Sequence, residues 1–138
     1  MTEYYYNEQH KAIYDSCIEQ TGDKKEWIRE DRERLSCLYL IALMCAIVPN
    51  HKPESFYNFK SNSIIPDSIN RPEITGTTGR ILRLAYILYN GFPDGEPNNG
   101  FNDIFRYRDE YAPFYLEALR IRYDITRLED QEEEAYTV

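Results

Sequence analysis

A loop of threonine and glycine that runs directly into a helix is the stretch of this sequence best suited to bind a ligand. Residues 75–80 read Thr-Gly-Thr-Thr-Gly-Arg, and an apolar helical pattern follows. Glycine allows a tight turn, and the N-terminus of a helix presents backbone N–H groups that bind anions. Further donors are the three hydroxyls and two guanidinium groups of Thr75, Thr77, Thr78, Arg80 and Arg83. One interpretation is therefore a site for a nucleotide or another anion.

The same stretch also has a purely structural interpretation. Its spacing differs from the GxxxxGK[ST] pattern of phosphate-binding loops, and no clear strand precedes it. The threonines would then cap a helix over 79–90, which ends at the left-handed exit signal Asn90-Gly91. The two arginines would pair with carboxylates instead of a ligand. The acidic residues available for such pairs include Asp103, Asp109 and Glu117.

Patterns typical of catalytic and metal sites are missing from the sequence. The three cysteines, Cys17, Cys37 and Cys45, form no CxxC pair, and the two histidines belong to no HExxH motif. No serine lies in a GxSxG elbow, and no cysteine has an obviously electropositive context. His10 and His51 are interpreted as ordinary edge and loop residues. The sequence thus predicts a non-enzyme without a cofactor or a metal.

Hydrophobic periodicity predicts a small, mainly α-helical bundle. Its four principal helices are expected at 7–21, 24–48, 79–90 and 112–125. The second helix would begin with a charged half capped by Asp23 and end in an almost wholly apolar half. That apolar half is too short to span a bilayer and is the predicted centre of the core. The irregular, proline-rich segment 49–74 would pack over it.

Negative charge is concentrated near the two ends of the chain. The net charge is −8; residues 1–34 carry nine acids and six bases, and residues 124–138 carry six acids and one base. The chain is therefore divided into a single helical domain, 1–128, and an acidic tail, 129–138. The acidity argues against general DNA binding, which needs a basic surface. It favours attraction to a basic surface of another protein.

Acidic side chains interleaved with tyrosines are the predicted means of binding such a partner. Tyrosine combines an apolar ring with a polar tip, so the 13 tyrosines suit a recognition surface, although rings at the edge of a small core would explain them as well. On the second helix, pairs such as Glu26–Arg29 and Glu30–Arg34 are typical of a solvated face. A homodimer is also compatible with the sequence. The predicted partner-binding carboxylates are Glu26, Glu30, Glu132, Glu133 and Glu134.

Several short motifs lie between residues 35 and 123, namely segments 56–60, 75–78, 83–85, 90–91, 111–113, 117–118 and 122–123. Together they resemble an uncharacterised family of short proteins from Gram-positive bacteria and their phages, in which serine often fills the place of Thr78. The resemblance carries no catalytic residues. It implies an accessory protein of a mobile element that acts in the host cytoplasm. By analogy, small acidic proteins of this kind inhibit host defence proteins, anti-CRISPR proteins being the best-known class.

Overall fold

Helices form most of the chain that the computed structural model describes, which is residues 3–22, 25–90, 101–106 and 109–130. In chain order the helices are α1 (Glu8–Glu19), α2 (Lys25–Ile28), α3 (Arg32–Ile47), α4 (Gly76–Asn90), α5 (Phe101–Arg106) and α6 (Ala112–Tyr123). A two-stranded antiparallel ribbon, β1 (Tyr57–Asn58) and β2 (Ser63–Ile64), lies between α3 and α4. The prediction of a small, mainly α domain is confirmed.

Helix α3 is the centre of the domain. Every residue from position 35 to position 45 is buried, and α1, α4 and α6 all pack against this helix. A helix that is apolar on every side is stable in water only when neighbouring elements cover all of its faces. The predicted central helix is therefore confirmed over this range.

The prediction of one continuous helix over 24–48 is wrong. Helix α2 ends at Ile28, and a turn over residues 29–31 separates it from α3. Asp31 ends that turn because its carboxylate accepts a hydrogen bond from the backbone N–H of Arg34, which caps α3. The same carboxylate binds the Arg34 guanidinium, so Arg34 pairs with Asp31 and not with Glu30. The predicted cap, Asp23, lies outside the described residues.

The segment 49–74 is irregular, as predicted, and aromatic residues anchor it to the helices. Phe56 and Tyr57 are both fully buried. The hydroxyl of Tyr86 on α4 donates a hydrogen bond to the carbonyl oxygen of Phe56 over 2.9 Å. Within this segment a 3-10 turn, Pro53–Ser55, is followed by β1.

The C-terminal boundary of the domain is described only in part. Residues 109–130 are described, and the Arg127 guanidinium packs on α6 through an ion pair with Glu117. Most of the predicted acidic tail, residues 131–138, lies outside the described ranges. Among the helices that are described, none has both the length and the apolar character to cross a membrane.

Candidate functional site

The Thr/Gly loop forms the first turn of α4. The helix begins at Gly76, three residues before the predicted start, which places Thr75 at the N-cap. The Thr78 hydroxyl accepts from the backbone N–H of Thr75 over 3.2 Å and donates to its carbonyl oxygen over 2.8 Å. This is half of a capping box, in which the third helical residue satisfies the N–H of the cap. Both of these hydrogen bonds of the Thr78 hydroxyl are therefore made to the backbone of Thr75.

Arg80 lies against a carboxylate from the segment that precedes α6. Its Nη2 is 3.1 Å from Oδ2 of Asp109 and 3.0 Å from Oγ1 of Thr77. Asp109 also accepts hydrogen bonds from the Tyr115 hydroxyl and the Tyr111 backbone N–H, each over 2.9 Å. The Arg80 and Asp109 side chains are only 16% and 13% exposed. Asp109 thus supplies the negative charge that an anionic ligand would otherwise bring to Arg80.

Arg83 folds back along α4 towards the same turn. One of its terminal nitrogens, Nη1, would lie 3.4 Å from a Cβ atom built on Gly79. The structure therefore brings the five predicted anion-binding residues into the first turns of one helix. Within that turn the Thr78 hydroxyl bonds to the backbone of Thr75, and the Arg80 guanidinium donates to the Thr77 hydroxyl. Asp109, one of the three carboxylates considered as partners, is the one that pairs with Arg80.

A buried charge cluster on α6 ties the two ends of the described chain together. The Glu117 side chain is 3% exposed, and its carboxylate binds Arg120 over 2.9 Å and Arg127 over 2.7 Å. It also accepts the backbone N–H of Tyr4 over 2.9 Å, and the Arg127 guanidinium lies 3.7 Å from the centroid of the Tyr4 ring. We call these four residues the Glu117 junction. The Glu-x-x-Arg spacing on α6 is the part of it that the sequence signals.

The prediction that His10 is a surface or edge residue is wrong. Its side chain is fully buried; Nδ1 accepts from the backbone N–H of Tyr6 over 3.0 Å, and Nε2 lies 2.9 Å from the carbonyl oxygen of Tyr39. The first contact makes Nε2 the protonated nitrogen, which donates to α3. Burial lowers the pKa of His10 to about 4. His10 is therefore a neutral residue that holds the N-terminal segment against α3.

The cysteines are poorly suited to nucleophilic chemistry. All three are free and buried, and burial raises the pKa of Cys45 to about 12. It also raises the pKa of Cys17 and of Cys37. A thiol that stays protonated at neutral pH is a weak nucleophile and a weak metal ligand. In the part of the chain that the structure describes, no group of three or more His, Cys, Asp or Glu side chains could hold a metal ion.

An exposed tryptophan lies among the carboxylates predicted to bind a partner. Trp27, on α2, is 56% exposed, and Glu26 and Glu30 beside it are exposed as well. The Arg34 guanidinium is 5.2 Å from the centroid of the Trp27 ring and so supports its orientation. Neither glutamate forms an ion pair with another described residue. The three predicted tail residues, Glu132, Glu133 and Glu134, lie outside the described ranges.

Paired charges surround this tryptophan. A shallow depression of about 480 Å³ opens beside Trp27 and Glu30, between α2, the start of α3 and the end of α6. At its rim Arg32 pairs with Asp124 over 2.9 Å, and Arg122 lies 3.9 Å from Glu33. We call Glu26, Trp27 and Glu30, with this depression, the α2 edge. It combines one large aromatic side chain, two carboxylates and a rim of partly exposed ion pairs.

Comparison with known families places the chain in one of them. The profile of a family of unknown function, DUF6075, matches residues 1–135. The chain therefore belongs to that family, which agrees with the resemblance to an uncharacterised family seen in the sequence. Comparisons with curated proteins and with solved structures found no match.

Proposed function

We propose that this member of DUF6075 is a non-enzymatic binding protein whose α2 edge docks on a basic surface of another protein. The observation that carries the proposal is the exposed Trp27 between two carboxylates that form no ion pair with a described residue. Tryptophan is enriched among the few residues that dominate the binding energy of an interface. Carboxylates without a partner of their own attract a basic surface and accelerate association.

The surroundings of Trp27 suit an interface of this kind. Interfaces commonly have an aromatic centre and a polar, hydrated rim, and the partly exposed Arg32–Asp124 and Arg122–Glu33 pairs would form such a rim. The net charge of −8 adds a long-range attraction to basic proteins. Glu132, Glu133 and Glu134 would add to that attraction.

The biological role we propose is that of a phage-type accessory protein that inhibits a host defence protein in the cytoplasm. A CRISPR nuclease is a suitable target because its nucleic-acid groove is basic, and an acidic protein can occupy such a groove. This role rests on the resemblance to proteins of bacteria and phages and on the acidic composition.

The alternative, a nucleotide- or anion-binding protein, has less support. Its residues would be Thr75, Thr77, Thr78, Arg80 and Arg83. Asp109 accepts the Arg80 guanidinium, and the Thr78 hydroxyl bonds to the local backbone. A ligand would have to displace the carboxylate of Asp109, which costs a largely buried ion pair. A nucleotide panel that raised the melting temperature of the wild type, but not of Arg80→Ala with Arg83→Ala, would favour this alternative.

Binding to a purified CRISPR nuclease free of nucleic acid tests the proposal. We expect Trp27→Ala to raise the dissociation constant by about 30-fold, since a central tryptophan commonly contributes about 2 kcal/mol or more to the binding energy. The double variant Glu26→Lys with Glu30→Lys should slow association, most strongly at low salt.

A control with the same change in charge separates the α2 edge from general acidity. Glu54 and Asp67 are exposed and lie outside the edge, so Glu54→Lys with Asp67→Lys should leave Trp27-dependent binding intact. Equal loss in both double variants would assign the effect to overall charge. Unchanged binding by Trp27→Ala and by the edge double variant would exclude the α2 edge as the docking surface.

A further inference from the structure

Three consecutive tyrosines immediately before α1 contact α3 and α6, and we call residues 4–6 the tyrosine strap. The Tyr4 carbonyl oxygen accepts a hydrogen bond from the Tyr39 hydroxyl of α3, and the Tyr4 backbone N–H donates to Glu117 of α6 over 2.9 Å. Asn7, the N-cap of α1, has an extended backbone, with φ −161° and ψ −178°, so the strap does not continue the turns of that helix. Side chains of other elements therefore hold the strap in place.

The rings of the strap pack at the edge of the core. Tyr4 is 47% exposed and Tyr6 39%, and Tyr5 is partly buried. The Tyr6 ring meets Tyr111 and Phe114 edge-on, with 5.4 and 5.8 Å between the centroids. Segments with few fully buried apolar contacts open locally at a lower free energy than the whole domain unfolds. The strap can therefore detach while the helices stay packed.

His10 joins the strap to α3 through two ring nitrogens with different roles. Nδ1 accepts from the backbone N–H of Tyr6 over 3.0 Å, and Nε2 lies 2.9 Å from the carbonyl oxygen of Tyr39, to which it donates. A backbone N–H can only donate, so Nδ1 has to be unprotonated for the contact with the strap to form. A proton on Nδ1 would turn this contact into two donors facing each other, whereas the bond from Nε2 to α3 would remain. One proton on His10 thus removes the contact with the strap alone.

We propose that the tyrosine strap is a proton-controlled device, closed at neutral pH and released as a unit when His10 takes up a proton, while the helices stay folded. Histidine serves as a pH sensor wherever its charged form is excluded from one of two conformations. Release uncovers two rings beneath the strap: Tyr39, which lies 6.1 Å from the Tyr5 ring, and Phe114, which packs against Tyr6. The inference goes beyond the docking function of the α2 edge and shares no residue with it.

The rings that face His10 carry no charge at neutral pH. They are Tyr5 from the strap, Tyr39 from α3 and Phe114 from α6. Burial raises the pKa of both Tyr5 and Tyr39, so neither phenol ionises as the pH falls. The charged groups beyond these contacts lie around the Tyr4 and Tyr5 rings, namely Glu3, Lys11, Asp15, Glu117 and Arg127. Between pH 7 and pH 5 the medium stays above the ordinary range of carboxylate titration, so His10 is the group of this set expected to change charge.

The direction of the pH effect follows from the burial of His10. Burial lowers its pKa from 6.5 to about 4 in the closed form. Exposure of Nδ1 in the open form returns the pKa towards its ordinary value. The open form therefore takes up a proton first, and opening is favoured as the pH falls from 6.5 towards 4. With these two pKa values the equilibrium constant for opening rises by about 20-fold between pH 7 and pH 5.

Amide hydrogen exchange of the full-length protein, measured by NMR at pH 7 and pH 5, tests the strap. The amides of Tyr4 and Tyr6 report its opening because they donate to Glu117 and His10. Corrected for the intrinsic effect of pH, their protection factors should fall by about 20-fold at pH 5. Low concentrations of urea should hardly change them, since local opening exposes little surface. The amide of Leu40, at the centre of α3, should be far better protected and should lose protection steeply with urea.

Two histidine variants separate His10 from other titrating groups. His10→Gln keeps an acceptor for the strap but does not titrate, so the 20-fold change should disappear. His51→Gln is the matched control because His51 packs on Phe56, away from the strap, and it should retain the full change. An equal pH effect in wild type and His10→Gln would overturn the control by His10.

The wild-type series decides the existence of the strap device, whatever the stability of His10→Gln. Equal protection of the strap amides at pH 7 and pH 5 would overturn the proposal. Protection and urea dependence equal to those of Leu40 would overturn it as well, because the strap would then open only when the whole domain unfolds. No partner protein is used, so failure of this inference leaves the test of the α2 edge unaffected.

Discussion

Carboxylates serve opposite purposes at the Glu117 junction and at the α2 edge. Glu117 is buried and has two guanidinium groups and a backbone N–H as partners. Glu26 and Glu30 are exposed and pair with no described residue. A carboxylate surrounded by donors of its own chain holds elements together and has no capacity left for a ligand. The acidic residues available to a partner are therefore those that form no ion pair within the described part of the chain.

The largest expected effect comes from removing the charge of Glu117. Glu117→Gln removes the buried negative charge that binds both Arg120 and Arg127, so we expect the free energy of unfolding to fall by about 3–5 kcal/mol. Urea denaturation followed by circular dichroism measures this loss. Glu30→Gln is the control at the α2 edge and should change the stability by less than about 0.5 kcal/mol. Similar losses of unfolding free energy in the two variants would show that the carboxylates of the two regions do not differ in their contribution to stability.

A second effect arises at His10, which holds the segment that leads into the junction. Because burial lowers its pKa from 6.5 to about 4, the unfolded chain takes up a proton before the folded one does. Stability should therefore fall as the pH decreases from 6.5 to about 4, by roughly 3 kcal/mol from this group.

The matched variant for this pH dependence is His10→Gln, which does not titrate. The difference in unfolding free energy between wild type and His10→Gln should shrink by roughly 3 kcal/mol between neutral pH and about pH 4. Contributions of the carboxylates and of His51 are common to both proteins and cancel in this difference. A difference that stays constant with pH would show that His10 has an ordinary pKa.

The smallest of the three effects belongs to Asp109, which is less deeply buried than Glu117. Asp109→Asn weakens the pairs with Arg80 and Tyr115, and we expect a loss of about 2 kcal/mol. The melting temperature measures it, and Asp67→Asn is an exposed control. A loss of stability as large as that of Glu117→Gln would show that the contributions of these two carboxylates do not follow their burial. An unchanged melting temperature would show that the Arg80–Asp109 pair adds no stability, and an anion could then replace Asp109 at Arg80 without cost.

The helical part of the fold was predictable because it depends on local patterns. The apolar run after position 34 indicated a helix buried on all sides, and the Thr/Gly run indicated a helix start. The break after Ile28 was missed because residues on both sides of it favour a helix and charge pairs at helical spacing continue across it. The deciding feature is the carboxylate of Asp31, which caps α3 and binds Arg34.

The sites were less predictable because their partners are distant in the sequence. His10 is enclosed by Tyr39 from α3 and Phe114 from α6, and neither contact can be seen from its neighbours in the chain. Similarly, Asp109 was one of several acids that Arg80 could have met. The assignment of Glu26 and Glu30 to partner binding stays a prediction, and the exposure of Trp27 between them was not predicted from the sequence.

The hydrogen bond between Tyr4 and Glu117 has a consequence for the order in which the chain folds. It joins residues 113 positions apart, so nearly the whole described chain forms the loop that it closes. The entropy of closing such a loop is recovered only after the helices between its ends have packed. Docking of the N-terminal segment is therefore expected after the transition state. The energy of this contact should then appear in a slower rate of unfolding, with little effect on the rate of folding.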